Sequence, residues 1–118
     1  MIIRENNIEM TRGDTEELTV YVPSKAFVAG DIIELTIRKT PAAKLIVLHK
    51  TVSDFTEKEG KAVFHFEPED TASIPWGKYS YDIQATFADI GVKTIIKPSA
   101  FVLGEEDTYG IEEPENDG

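Results

Sequence analysis

A chain of 118 residues with no cysteine is long enough to fold as one domain around its own core. The same count excludes disulfides, thiolate metal sites and thiol nucleophiles. A net charge of −10 works against binding the phosphate backbone of a nucleic acid, and the N-terminus, Met1 to Glu5, lacks the apolar run of a signal peptide or membrane span. The expectation is a protein made and folded in the cytoplasm, with no nucleic-acid or membrane partner.

The acidity is not evenly spread. Residues 105–118 carry seven carboxylates and no Lys or Arg, which leaves 15 acidic and 12 basic residues in 1–104, a net of −3. The chain therefore divides into a near-neutral body, 1–104, and an acidic tail, 105–118. The tail combines low hydrophobicity with one charge sign, so burial cannot offset its ordering entropy, and disorder is expected there. Only Tyr109 and Ile111 offer it apolar anchors.

In chain order, Asn7–Thr11 is the first candidate strand, and Arg12-Gly13-Asp14 turns the chain. A Gly-Asp pair between two strand patterns is a common turn, and that reading is preferred to an integrin ligand. From Glu17 to Val22 apolar residues alternate, with Leu18, Val20 and Val22 on one face, until Pro23 ends the run. Gly30-Asp31 opens Ile32–Lys39, where Ile33, Leu35 and Ile37 point inward. Leu45–Val52 is a fourth strand, Asp54–Gly60 a polar connection of hairpin type, and Lys61–Glu67 a fifth strand with Ala62, Phe64 and Phe66 on one face. Pro68–Pro75 suits a short helical turn that Asp70 or Thr71 caps. The longest run, Gly77–Phe87, places Tyr79, Tyr81, Ile83, Ala85 and Phe87 together. Asp89–Gly91 then turns into a seventh strand, Val92–Leu103, interrupted at Pro98-Ser99. Short alternating strands separated by turn signals predict an all-β domain, an immunoglobulin-like antiparallel β-sandwich of about seven strands.

No reactive constellation stands out. His49 and His65 lie on different strands, and neither a catalytic nor a metal role is expected of them. Glu16 and Glu17 are adjacent on a strand and so point to opposite faces. The sequence contains neither a Gly-x-Ser-x-Gly elbow nor a phosphate-cradling glycine loop, and the acidic run Glu67 to Asp70 lacks the spacing of a calcium loop. The expectation is therefore no catalytic, cofactor-binding or metal-ligating residue.

The most informative stretch runs from Glu69 to Ile83. A corner with an acidic residue, Asp70, followed by Gly77-x-Tyr79-x-Tyr81, is how immunoglobulin-like sandwiches enter their sixth strand. Tyr79 then bonds its hydroxyl back to the corner backbone, and Tyr81 takes the inward position held by cysteine in disulfide-bonded domains. Trp76 is read either as a cover over the end of the sandwich or as an exposed anchor for a partner.

Three groups of residues carry a resemblance: Arg12-Gly13-Asp14-Thr15 before a strand; Phe27-x-x-Gly30-Asp31 before Ile33-x-Leu35-x-Ile37-Arg38-Lys39; and Pro68-x-Asp70-Thr71 followed by Gly77-x-Tyr79-x-Tyr81-Asp82-Ile83. With Lys93-Thr94-Ile95-Ile96-x-Pro98-x-x-Phe101-x-Leu103 they run from Arg12 to Leu103, within a resemblance that extends over residues 8–108. The chain resembles small β-sandwich proteins of phages and prophages of Gram-positive bacteria, similar to the N-terminal domains of baseplate upper proteins. The resemblance implies a structural role in a virion baseplate, tail or fibre, with other phage structural proteins or further copies of itself as partners and no catalytic residue to carry over. The alternative is a carbohydrate-binding sandwich, for which Trp76, Tyr21 and Tyr109 are the available aromatics. On the docking reading the expected contacts are a sheet edge, with Asn7–Thr11 as the unguarded one, or the Trp76 end, aided by Tyr109 and Ile111.

Overall fold

The computed structural model describes residues 1–22, 27–55 and 60–105. Among them run β1 (Ile2–Arg4), β2 (Asn7–Thr11), β3 (Glu16–Tyr21), β4 (Ile32–Arg38), β5 (Ile46–Val52), β6 (Lys61–Phe66), α1 (Pro68–Ala72), β7 (Gly77–Phe87) and β8 (Gly91–Gly104). The strands form a six-stranded sheet in the order β1-β2-β8-β7-β4-β5 and a two-stranded sheet, β3-β6. The architecture is mostly β and sandwich-like, with one core between the two layers.

Period-two alternation builds that core. The small sheet contributes Leu18 and Val20 from β3, and Ala62, Phe64 and Phe66 from β6, all buried. Opposite them, β4 buries Ile33, Leu35 and Ile37, and β7 buries Tyr79, Tyr81, Ile83, Ala85 and Phe87. Ile8 and Met10 of β2 and Phe101 and Leu103 of β8 complete it. The expected inward faces of Ile32–Lys39, Lys61–Glu67 and Gly77–Phe87 are thus the faces observed. A one-residue slip would have exposed each set.

Several expectations need correction. An additional strand, β1, pairs with β2 through Ile3 and Ile8, so Asn7–Thr11 is an interior strand rather than an unguarded edge. Its other neighbour is β8, and the β2–β8 pairing is parallel, which departs from a purely antiparallel arrangement. The connection 54–60 does not close a hairpin, because β5 pairs with β4 and β6 with β3. It carries the chain from one sheet to the other, and its residues 56–59 lie outside the described set. Pro98 does not end its strand: the β7–β8 register shifts on either side of Ile83, so the proline sits at a bulge where no ladder hydrogen bond is required of it. The expected disorder of the tail, with Tyr109 and Ile111, also falls outside the described residues.

The crossing from β3 to β4 is locked by a buried carboxylate. Asp31, 1% exposed, accepts hydrogen bonds from the Val28 amide at 2.9 Å and the Ala88 amide at 2.8 Å. It ties this loop to the turn between β7 and β8, and backbone donors offset the cost of burying its charge. Beside it Gly30 has φ +96 and lies so close to Ala88 that a Cβ would come within 3.3 Å of the alanine methyl. Phe27 closes the same end, stacked on Phe55 at 4.1 Å and near Phe87 at 6.4 Å. On the far side Tyr81 donates its hydroxyl to the Asn6 carbonyl at 2.5 Å, which pins the β1–β2 hairpin to the core. Burial pushes this phenol up to about 12.

Ile83 is fully buried at the centre of β7. The expected cost of Ile83→Ala is about 2–5 kcal/mol, from lost transfer energy and the cavity left behind. Urea denaturation of wild type and variant measures it, and a change below about 1 kcal/mol would contradict the packing described.

Candidate functional site

The chain enters β7 through a braced corner. Pro68 occupies the first position of α1, where a missing amide costs nothing. The expected cap is displaced: Glu67 is the capping position, and Asp70 reaches back from inside the helix to accept the Glu67 amide at 2.8 Å. The same Asp70 oxygen accepts Lys50 Nζ at 2.7 Å, so the corner is tied to β5 of the opposite sheet. Burial raises the Asp70 carboxyl, but the Lys50 hydrogen bond and charge and the Glu67 amide outweigh it, and the net shift is downward from 3.8. Thr71 is fully buried and its hydroxyl accepts the Gly13 amide at 2.8 Å. Arg12 donates to the Ile74 carbonyl at 3.4 Å. The Arg12-Gly13-Asp14 turn is therefore a structural clasp on the corner.

The expected tyrosine contact is present. Tyr79, 7% exposed, donates its hydroxyl to the Pro75 carbonyl at 2.6 Å. Lys39 Nζ lies 4.8 Å from the centre of the Tyr79 ring, and Gly77, at φ +153, gives the chain a conformation favoured by glycine as it enters β7. Between these fixed points stands Trp76, 57% exposed. It does not cover the end of the sandwich. A large aromatic held outward by a rigid, hydrogen-bonded turn is the kind of residue that anchors interfaces, because little side-chain entropy remains to be lost on contact.

A trough of about 590 Å³ lies on the large sheet beside this corner, lined by Ser80 of β7, Ala100 of β8, Pro41 and Pro98 to either side, and Lys39 and Lys78. No carboxylate lines it. No sequence signal pointed to this place, because its residues come from three strands and a loop. A second groove of about 590 Å³ runs between β5 and β6, lined by Phe55, Ala62, Phe64, Lys50 and His65 among others. It is the open side of the sandwich, where among the described residues each of the two strands has one edge with no strand beside it.

The remaining candidates stay apart. His49 is 3.5 Å from Glu34, and His65 is 3.2 Å from Glu17. The first pair is on the large sheet and the second on the small one. Glu16 is half-buried and Glu17 exposed, consistent with their opposite faces. Among the described residues no three His, Asp or Glu side chains converge as a metal ion requires, and no helix is long and apolar enough to cross a membrane. Of the aromatics considered for sugar binding, Tyr21 is paired with Lys61 at one end of the β3–β6 ladder, whereas Trp76 follows the corner beyond Phe66 at the other. They form no common platform.

Comparison with models of known protein families gives no match, and no curated protein matches the sequence.

Tyr79→Phe removes the corner hydrogen bond and keeps the ring. It is expected to cost about 0.5–1.5 kcal/mol in urea unfolding, and an unchanged midpoint would show that the corner does not depend on it. The lowered Asp70 carboxyl contributes stability that is fully present above the ordinary value of 3.8 and is lost as pH falls through the lower folded value. The stability gap between wild type and Asp70→Asn is therefore expected to be constant near neutral pH and to shrink below 3.8. Acid titration of both proteins by circular dichroism tests this, and a gap that does not change with pH would refute it.

Proposed function

We propose that this chain is a non-catalytic structural and docking module with an immunoglobulin-like sandwich, working as a baseplate, tail or fibre component of a phage or prophage virion. The observation that carries the docking reading is Trp76, exposed on a corner braced by Tyr79, Thr71, Arg12 and Asp70. The immunoglobulin-like reading is supported by strand order: β8, β7, β4 and β5 are neighbours in one sheet and β3 and β6 form the other, the arrangement of a sandwich in which the fifth strand extends the larger layer. The hydroxyl bond of Tyr79 to the corner backbone supports it too. The virion assignment rests on the sequence resemblance of the turn and strand motifs, and the partners it implies are other structural proteins of the same particle. The carbohydrate-binding reading is not favoured, because Trp76 and Tyr21 stand at opposite ends.

The test is a pull-down of the products of neighbouring genes with wild type and Trp76→Ala. Wild type is expected to retain at least one structural protein, and the variant to lose at least about tenfold in affinity, the loss of one anchor residue. Binding to none of these products, together with binding to a defined glycan, would overturn the proposal.

A further inference from the structure

The trough at the start of β7 has a chemistry that fits one particular occupant. Lys39 and Lys78 line it and no carboxylate does, in a chain with a formal charge of −10. Asp82, two residues beyond Ser80 on β7, is held by Arg38 at 3.3 Å, and Glu9 lies across Val102 from Lys78, outside the lining. The remainder of the lining is largely uncharged, with Pro41, Pro98 and Ala100. A concave, partly apolar surface with cations and no anions suits an extended acidic segment that also carries one or two apolar side chains.

This chain contains such a segment. Residues 105–118 hold seven carboxylates and no Lys or Arg, and Tyr109 and Ile111 are two residues apart, a spacing that puts both on one side of an extended chain. The segment leaves the domain at Gly104, hydrogen-bonded through its carbonyl to the Arg12 amide at 3.0 Å. Leu103 pairs with Gly77 and Val102 with Lys78, so the exit point and the trough share one end of the sheet. An acidic segment leaving beside a cationic trough creates a self-complementary surface. Two copies placed end to end about a two-fold axis can each give a tail to the other, and the arrangement closes.

We infer that the Lys39–Lys78 trough binds the acidic C-terminal segment of a second copy of this chain, forming a reciprocal dimer. The inference rests on the reading of the chain as a docking module, and specifies one of its contacts. The dimer is held mainly by charge at a solvent-exposed surface, so salt weakens it.

Sedimentation of the full-length protein over a range of concentrations, in low and high salt, tests this. A monomer–dimer equilibrium is expected that shifts toward monomer as salt rises, with a dissociation constant roughly tenfold weaker in Lys78→Glu, the equivalent of about 1.4 kcal/mol. Lys93→Glu, on β8 away from the trough, makes the same charge change and is expected to leave the equilibrium in place. Combining Lys78→Glu with Glu112→Lys and Glu113→Lys is expected to restore association. A protein that is monomeric at every concentration, or dimerisation insensitive to Lys78 and to salt, would overturn the inference. The measurement contains only this protein, so its failure is distinguishable from failure of the docking reading, which is tested with other gene products.

Discussion

Two strands must cover the inner face of a sheet made of six. The β3–β6 pair lies over the inner face of the large sheet, and across the core Phe66 of β6 packs 6.4 Å from Phe101 of β8. At the margins the cover has to come from elsewhere, since uncovered apolar surface costs about 25 cal/mol per Å². Phe27 and Phe55 stack over one end. The α1 corner closes the other through buried Thr71. Along the β5 margin Lys50 holds its ammonium 5.6 Å from the centre of the Phe66 ring and in a hydrogen bond to Asp70, a cation laid over an aromatic face. Each of these devices answers the same shortage of strands, and the groove between β5 and β6 is where the shortage is not fully met.

The corner shows how that constraint shapes the surface. The chain must leave β6 in the small sheet and enter β7 in the large one within ten residues. Four elements converge to hold the crossing: the β2–β3 turn through Gly13, β5 through Lys50, the helix through Asp70, and β7 through Tyr79. A crossing so firmly held has little freedom to fold a last bulky side chain inward, and Trp76 is left outside. Rigidity required by the fold thus supplies a preorganised contact residue, which a binding surface needs if its affinity is not to be spent on ordering.

What was legible in the sequence was local. The inward faces of β4, β6 and β7 follow from strict alternation, and Tyr79 was recognisable because a glycine and a corner precede it at fixed spacing. Partner choice was not legible, because alternation states which side of a strand is buried and says nothing about which strand lies beside it. For that reason alternation suggests a hairpin at 54–60, where the chain changes sheets, and an edge at Asn7–Thr11, which β1 and β8 flank. β1 itself is three exposed residues with no buried face to betray it. The trough was invisible for the same reason: Pro41, Ser80 and Pro98 are neighbours only once the large sheet is assembled.

The parallel pairing of β2 and β8 has a mechanical consequence. Because the two strands run in the same direction, with Ile8 beside Phe101 and Thr11 beside Gly104, a force entering through residue 7 and leaving through residue 104 pulls them past one another lengthwise. Their hydrogen bonds are then stretched in shear and must yield together. A pull that enters at the N-terminus instead first meets the antiparallel β1–β2 hairpin, where Ile2 lies beside Glu9, and opens it like a zipper, one bond after another. Tension along the chain would spend the hairpin first and then meet a ladder that resists as a unit.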